Sequence, residues 1–274
     1  MTRLQRFRAY MGRMNPVADP ALAIREGLYV APPGRSVAEE LATRLELEPA
    51  STHLVIGGIG SGKTSELLRA VERLKASFYE TGDHVEYLDV SRWCDISELG
   101  RSTTLTSLAG LSLANHAKPL NTPKAQAGLV VAEATVPYGI ERQAAQLQTT
   151  CAAYPGKDKQ VIFFFDSLDR LGSPARFREA VHHDLQVLKA AGIGATIVGP
   201  IRFLVGADRS IADLFDHIHF QLAADPSLPE GLSFLTRVLR ARAEPDILSD
   251  ECVKLLANAS GGMMRDLITL AKRT

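Results

Sequence analysis

The sequence carries no excess of either charge, few cysteines and no long apolar run, and each lack removes a class of protein. Lys+Arg and Asp+Glu stand at 31 each in 274 residues, with a pI near 7.1. The overall balance therefore gives no reason to expect nucleic acid as partner, although a local basic face stays open. Cys94, Cys151 and Cys252 are odd in number and far apart. That fits neither a disulfide framework nor a zinc knuckle, so they read as buried or idle thiols of a reducing cytosol. No stretch of about 18 apolar residues occurs, which excludes a membrane-spanning helix. Thr104 to Ala114 is apolar but short, broken by Ser107, Gly110 and Ser112, and reads as a core or insert helix. Arg3, Arg6, Arg8 and Arg13 are followed by no apolar segment, so no secretory signal is expected and the location is cytoplasmic. These arginines read either as a basic amphipathic arm or as a solvated, frayed end. Trp93, the single tryptophan, is expected to pack at the start of an insert.

What is present is a 46% hydrophobic chain, enough for one large domain or a core with a small satellite. Its most informative stretch is Gly57-Gly58-Ile59-Gly60-Ser61-Gly62-Lys63-Thr64, which fits the phosphate-loop pattern G-x-x-x-x-G-K-[ST]. An apolar run, His53 to Ile56, precedes it, and residues with helical apolar spacing follow from Ser65. Strand, glycine loop and helix are the context the motif needs. An ordinary glycine turn would share the local pattern without the chemistry. In the functional reading, the glycines let backbone N–H groups turn inward as an anion nest, and the helix N-terminus adds positive potential. Gly58, Gly60, Ser61, Gly62, Lys63, Thr64 and Ser65 are then the phosphate-binding residues. Lys63 reaches the terminal phosphates and Thr64 places its hydroxyl on Mg²⁺.

The remaining pattern predicts an α/β protein. Strands are expected at His53–Gly57, His84–Val90, Val161–Asp166, Gly194–Gly199 and His217–Leu222, each short and largely unalternated, as in strands covered on both faces. Helical segments between them imply a five-stranded, parallel, doubly wound sheet. Ser36-Val37-Ala38-Glu39 is a capping box opening a helix to Leu47. Ser173-Pro174 opens another, which Gly192 ends. Residues 91–160 exceed what one crossover needs and read as an insertion, with a helix at Ile140–Ala152 and loops at Asn121–Gly128 and Tyr154–Asp158. From Pro226 the pattern is helical: Pro229–Ala243, Ser249–Ala259 and Gly262–Arg273. The expected organisation is a lead-in over 1–50, a core over 51–225 and a three-helix lid over 226–274.

Two further stretches carry chemistry. Val161 to Asp166 is an apolar strand ending in an acid, the pattern of a Walker B strand whose carboxylate holds Mg²⁺. Asp169 follows, and either acid can polarise an attacking water. The plain alternative is a strand-capping aspartate and a surface Asp169-Arg170 pair. Ser260-Gly261-Gly262-Met263-Met264-Arg265 opens the last helix, so Arg265 is placed to project from the lid toward a terminal phosphate; otherwise it is an exposed helix-start arginine. His182-His183 and the alternating His217 and His219 read as ordinary core or surface histidines rather than metal ligands.

With these strings, GSGKTSEL, FFFDSLDR and SGGMMRDL, the chain from about Gly27 to Arg273 resembles the AAA+ and STAND branch of P-loop ATPases. It is similar to the initiator and clamp-loader type, with a sensor-2 arginine in a GGxxR turn, and to ATPases of bacterial multi-component conflict or defence systems. The resemblance implies a core and helical lid with nucleotide between them. It implies an adenine pocket partly built by Pro33-Gly34-Arg35-Ser36, and Arg209 as an arginine reaching a neighbour's γ-phosphate. It also implies an ATP- and Mg²⁺-dependent switch, assembling with itself or with an operon-encoded effector. The catalytic set is then Lys63, Asp166, Asp169, Arg265 and Arg209, with Thr64 and Asp166 on the metal. Three departures stand out. Ser167 occupies the usual Walker B glutamate position. The fourth strand ends Ile197-Val198-Gly199-Pro200 without a polar sensor-1 residue, leaving Thr196 or Arg202. The sequence stops after the lid, so such a switch is expected to act on another polypeptide. A nucleotide-stabilised scaffold without turnover, favoured slightly by Ser167, and a P-loop small-molecule kinase are the competing readings.

Overall fold

The structure is a computed structural model and describes residues 2–15, 20–34, 36–96, 99, 103–117, 139–204 and 213–274. Its helices are α1 (Arg3–Arg13), α2 (Pro20–Arg25), α3 (Val37–Leu47), α4 (Lys63–Ser77), α5 (Thr104–Ala117), α6 (Ile140–Cys151), α7 (Pro174–Ala191), α8 (Pro229–Arg240), α9 (Asp250–Ala259) and α10 (Met264–Arg273). The strands are β1 (Thr52–Gly57), β2 (His84–Asp89), β3 (Val161–Asp166), β4 (Gly194–Gly199) and β5 (His217–Gln221). They form one five-stranded parallel sheet in the order β2-β3-β4-β1-β5. The chain divides into two compact units. One comprises Leu41–Ile56 and Ala70–His219; the other comprises Met1–Glu40, Gly57–Arg69 and Phe220–Thr274. The expected loop at Asn121–Gly128 lies outside the described residues.

In the first of these units, β1, β3 and β4 are buried along their whole length. Phe163, Phe165, Leu54, Ile56 and Ile197 form a core with Leu105, Leu113, Leu147, Phe177, Val181 and Leu188 of the surrounding helices. Unalternated apolar strands are what a sheet covered on both faces requires. The edge strands β2 and β5 depart from that expectation and mix buried with half-buried or exposed residues. An edge strand has one partner and need not be apolar on every side chain. The parallel register sets Ile56 of β1 opposite Gly199 and Phe165 of β3 opposite Ile197. The C-terminal ends of β1 and β3 thus emerge on the same edge of the sheet. The Ala152–Gly156 segment, expected in part as loop, forms a π-type turn continuing α6. Trp93 is 52% exposed rather than packed.

The other unit has its own core, in which Tyr10 and Met14 join Phe234, Leu235, Val238, Leu239, Val253, Leu267 and Ala271. The N-terminus is therefore not a frayed end. Thr2 caps α1, reciprocated by Gln5, Arg6 bonds Asp246, and the Tyr10 hydroxyl donates to the Ala271 carbonyl. The apolar positions Tyr10 and Met14, four apart, supply one buried face, which arginine spacing alone conceals.

Asp184 of α7 is fully buried and takes the place of a cap for α5. Its carboxylate accepts from Leu105 N (2.9 Å), Thr106 N (3.3 Å) and the Thr106 hydroxyl (2.5 Å). Burial pushes its pKa up to about 6, against those hydrogen bonds. Because the folded pKa is raised, stability linked to this group is complete below the unfolded value and falls as pH rises toward 6. Asp184→Ala is expected to cost about 2–4 kcal/mol in urea unfolding, through orphaned buried donors. Asp184→Asn costs less, and its deficit against the wild type shrinks between pH 4 and pH 7. A pH-independent deficit would show that the acid is not desolvated in the fold.

Candidate functional site

The glycine loop belongs to the unit that also holds the three C-terminal helices. Gly60 (φ +85°) and Gly62 (φ +102°) take left-handed conformations that turn successive amides to one side. Ser61 N closes the turn on Gly58 O at 3.2 Å, and Glu66 N on Gly62 O at 3.1 Å starts the α4 ladder. The Lys63 ammonium is buried and donates to Gly57 O (3.0 Å) and Gly58 O (2.9 Å). Ser61 is buried too, and its hydroxyl oxygen has no hydrogen-bond partner. A buried unpaired hydroxyl costs about 1–3 kcal/mol, so a ligand oxygen at this turn has a donor waiting. Thr64 and Ser65 stand half-buried in the first turn of α4.

Neighbouring segments hold the loop at close quarters. A Cβ on Gly57 would lie 2.3 Å from Gln221 O, and Gln221 Nε2 donates to Ser61 O at 3.3 Å. From the start of α10, Arg265 N donates to Gly60 O at 3.3 Å. A Cβ on Gly60 would lie 2.8 Å from the Arg265 Cβ, and one on Gly58 3.1 Å from the Met263 methyl. The GG turn is forced in the same way: Gly262 (φ +83°) faces Ala224 O where a Cβ would sit only 1.8 Å away. The Arg265 side chain itself is exposed at the start of α10.

Two cavities adjoin Ser61. One of ≈ 510 Å³ is lined by Pro32, Pro33, Gly34, Ser36, Phe220, Leu222, Phe234 and Met264. The other, of ≈ 100 Å³, is lined by Ile24, Leu28, Tyr29, Val30, Ser65, Glu66, Val238, Arg242 and Ile268. Both are mostly apolar with a few polar groups, as small-molecule sites are. The polar groups are tied down. The Glu66 carboxylate accepts from the Tyr29 hydroxyl (2.9 Å) and Ala38 N (3.0 Å). Burial raises the Glu66 pKa against both bonds, and burial and the Glu66 charge raise that of Tyr29. The Arg242 guanidinium donates to Leu28 O and Val238 O, both at 3.0 Å, and burial lowers its pKa. Pro33, Gly34 and Ser36 of the expected recognition segment line the larger cavity. Arg35 lies outside the described residues, as does Arg209.

The acids occupy the other unit. Asp166 ends β3, accepting from the Tyr87 hydroxyl (2.8 Å) and from Ser167 N (2.6 Å). Ser167 is left-handed (φ 75°), unusual for a non-glycine residue, and its hydroxyl donates to Asp89 Oδ1 at 2.7 Å. Asp89 is the register partner of Asp166 at the end of β2. It also accepts from Ser91 N (3.1 Å) and Oγ (2.6 Å), with Arg92 Nε 3.3 Å away. Burial raises its pKa, but the serine bonds and Arg92 more than offset this and leave it lowered. Two aspartates, Asp89 and Asp166, thus end neighbouring strands, where the sequence singled out only Asp166 and Asp169. Asp89 ends β2 as Asp166 ends β3, although β2 (His84–Asp89) is no apolar run and carries Glu86 and Tyr87 before it. Asp169 sits half-buried on the short helical turn Leu168–Arg170. Thr196 is fully buried with an unpartnered hydroxyl, whereas Arg202 is exposed.

The fold is α/β, a five-stranded all-parallel sheet with helices and a glycine loop after its β1 strand. No protein-family model matches the sequence, and no curated protein does. Among solved structures the chain is similar to the ORC1 protein of Aeropyrum pernix in complex with DNA, at TM-score 0.53 and 17% identity over 86% of this chain and 59% of that one. It is similar also to the ORC2 protein of Aeropyrum pernix in ADPNP–ADP complexes, at TM-score 0.50 and 14% identity over 87% of this chain and 62% of that one. At these identities the likeness is one of fold, and the chain spans about three fifths of each neighbour. Among the described residues no helix is long and apolar enough to cross a membrane.

Gly60→Ala is expected to destabilise the protein by about 2–3 kcal/mol, combining left-handed strain with the Arg265 overlap. Gly58→Ala should cost under about 1 kcal/mol, because the contacting Met263 methyl is the free end of a flexible chain. Thermal unfolding of the two variants measures both. Equal losses would show that α10 does not constrain the loop.

Proposed function

We propose that the protein is a Mg²⁺-dependent ATP-binding and ATP-hydrolysing switch. The observation that carries this reading is the left-handed glycine nest around the unpartnered Ser61 hydroxyl, with Lys63 at its base and the amide of Arg265 bonded to its Gly60 carbonyl. Such a nest at a helix N-terminus suits phosphate oxygens. Lys63 would exchange the Gly57 and Gly58 carbonyls for the terminal phosphates, a charge-assisted contact. The adjoining apolar cavities are of a kind to take the purine, with Tyr29, Val30 and Phe234 as walls. The ADPNP–ADP complexes of the ORC2 neighbour agree with a nucleotide as ligand.

Thr64 and Asp166 would hold Mg²⁺. Hydroxyl and carboxylate oxygens are the hard donors this ion takes, and Asp89, beside Asp166, adds negative potential. The ion supplies charge neutralisation at the phosphates. The protein's own part is to fix the carboxylates: Tyr87 and the Ser167 amide orient Asp166, and the Ser167 hydroxyl orients Asp89. Since Ser167 replaces the usual glutamate, the water-orienting role falls to Asp169, with turnover slow or dependent on a partner. Arg265, at the lid's hinge with the loop, would couple nucleotide occupancy to lid position. Arg209 would act on a neighbouring copy. An operon-encoded effector and a role in defence against invading elements follow from the resemblance alone.

Lys63→Ala should weaken binding of a fluorescent ATP analogue at least tenfold, since a hydrogen bond to a charged group contributes about 1.5–3 kcal/mol. Unchanged affinity would show that the loop is not a nucleotide site. Asp166→Asn should remove the Mg²⁺ dependence of binding, whereas Asp169→Asn should leave binding intact and slow phosphate release. Wild-type turnover in Asp169→Asn would move the water-orienting role elsewhere.

An arginine supplied by a neighbour is worth about 10³–10⁵ in rate. Mixing Arg209→Ala with Lys63→Ala protein should therefore restore activity that neither has alone. No restoration, with a monomeric mass in ATP and Mg²⁺, would leave a switch that works within one chain.

A further inference from the structure

At the opposite end of β2 from Asp89 lies a cluster with different chemistry. His84 and Glu86, two apart, share one face of the strand. His116, in the last turn of α5, reaches the same point. His84 Nε2 stands 3.0 Å from Glu86 Oε2, and His116 Nε2 stands 3.5 Å from that same oxygen. All three donor atoms lie within 4.8 Å of one another. A zinc ion at about 2.0–2.2 Å from each of its ligands sets tetrahedral neighbours about 3.3–3.5 Å apart. Two of the three separations are already near this value, and rotation of the half-exposed His116 side chain can close the third.

The surroundings orient these groups. Ser112, one turn before His116 on α5, donates to Glu86 Oε2, and α5 is itself anchored by Asp184. The Tyr154 ring stacks on His116 at 5.2 Å and 12° and meets His84 edge-on at 5.3 Å. A hydroxyl on the ligating carboxylate and a ring packed on the ligating imidazoles are the supports that metal sites use. His84 is buried, while His116 is 47% exposed, so the cluster has a protected floor and an open side for a fourth, water ligand.

We propose that His84, Glu86 and His116 form a binding site for a divalent transition metal of the zinc type, separate from the glycine loop and its acids. Two imidazoles and a carboxylate make a borderline-soft N₂O set, which suits Zn²⁺ and disfavours Mg²⁺. The ion would join β2 to the end of α5, and through its open position take a small anion or a ligand from a partner.

The test uses the full, untagged chain, stripped with chelator and titrated with ZnCl₂ against a chromophoric zinc indicator. The expected result is one zinc per chain with Kd below about 1 µM, weakened at least tenfold in His116→Ala and in Glu86→Gln, with a zinc-induced rise in Tm that both variants lose. His217→Ala, whose ring lies 5.0 Å from that of His53 and apart from this cluster, should bind as the wild type does. Circular dichroism of His116→Ala, a half-exposed position, checks that folding is kept. Absence of stoichiometric uptake by the wild type, or full uptake by folded His116→Ala, would overturn the proposal.

Discussion

At Gly57 the main chain passes so near the Gln221 carbonyl that a single methyl would sit 2.3 Å from it. Three residues on, α10 comes close from another direction, with the Arg265 amide on the Gly60 carbonyl. The loop is therefore held by close main-chain approaches and the Cβ of Arg265, and by side-chain hydrogen bonds from Lys63 and Gln221. Main-chain contacts of this kind have few alternative arrangements, which suits a loop whose amides must point at a fixed place before any ligand arrives. The same contacts bind the loop, the end of β5 and the start of α10 within one compact unit.

The acidic edge of the sheet is arranged by shared hydrogen bonds. Two aspartates end adjacent strands as register partners. Ser167 serves both, giving its amide to Asp166 and its hydroxyl to Asp89. A glutamate at that position would add a third carboxylate where the structure has a donor. The left-handed backbone of Ser167 is the local strain this arrangement carries, of order 1–3 kcal/mol.

β2 joins two chemistries. Its C-terminal end supplies Tyr87 and Asp89 to the acidic edge, and its N-terminal end supplies His84 and Glu86 to the histidine cluster on α5. Side-chain alternation along a strand separates them by face as well as by end. An edge strand is suited to this: with one neighbour it has room for polar side chains that a central strand would have to bury.

Much of this protein was legible in its residue order. The glycine loop, the five strands and the capping of α3 and α7 are set by short-range rules of backbone sterics, apolar periodicity and local side-chain hydrogen bonds, all of which act within a few residues. Asp89 ends its strand as Asp166 does, but β2, with Glu86 and Tyr87, lacks the apolar run that made β3 conspicuous. What required the tertiary structure are the relations across long separations. These include the packing of Tyr10 and Met14 with the last helices, the bond of Tyr29 to Glu66, Asp184 capping a helix some eighty residues earlier, and the meeting of His84 and Glu86 with His116. Each depends on where a helix face lands after the chain has folded, and no local spacing encodes it. Sequence by itself determined the strands, the loop and the residues suited to phosphate chemistry, because those follow from conformational limits on neighbouring residues. Tertiary structure alone decided which distant side chains share a carboxylate, because burial and hydrogen-bond satisfaction are settled only when the whole core is packed.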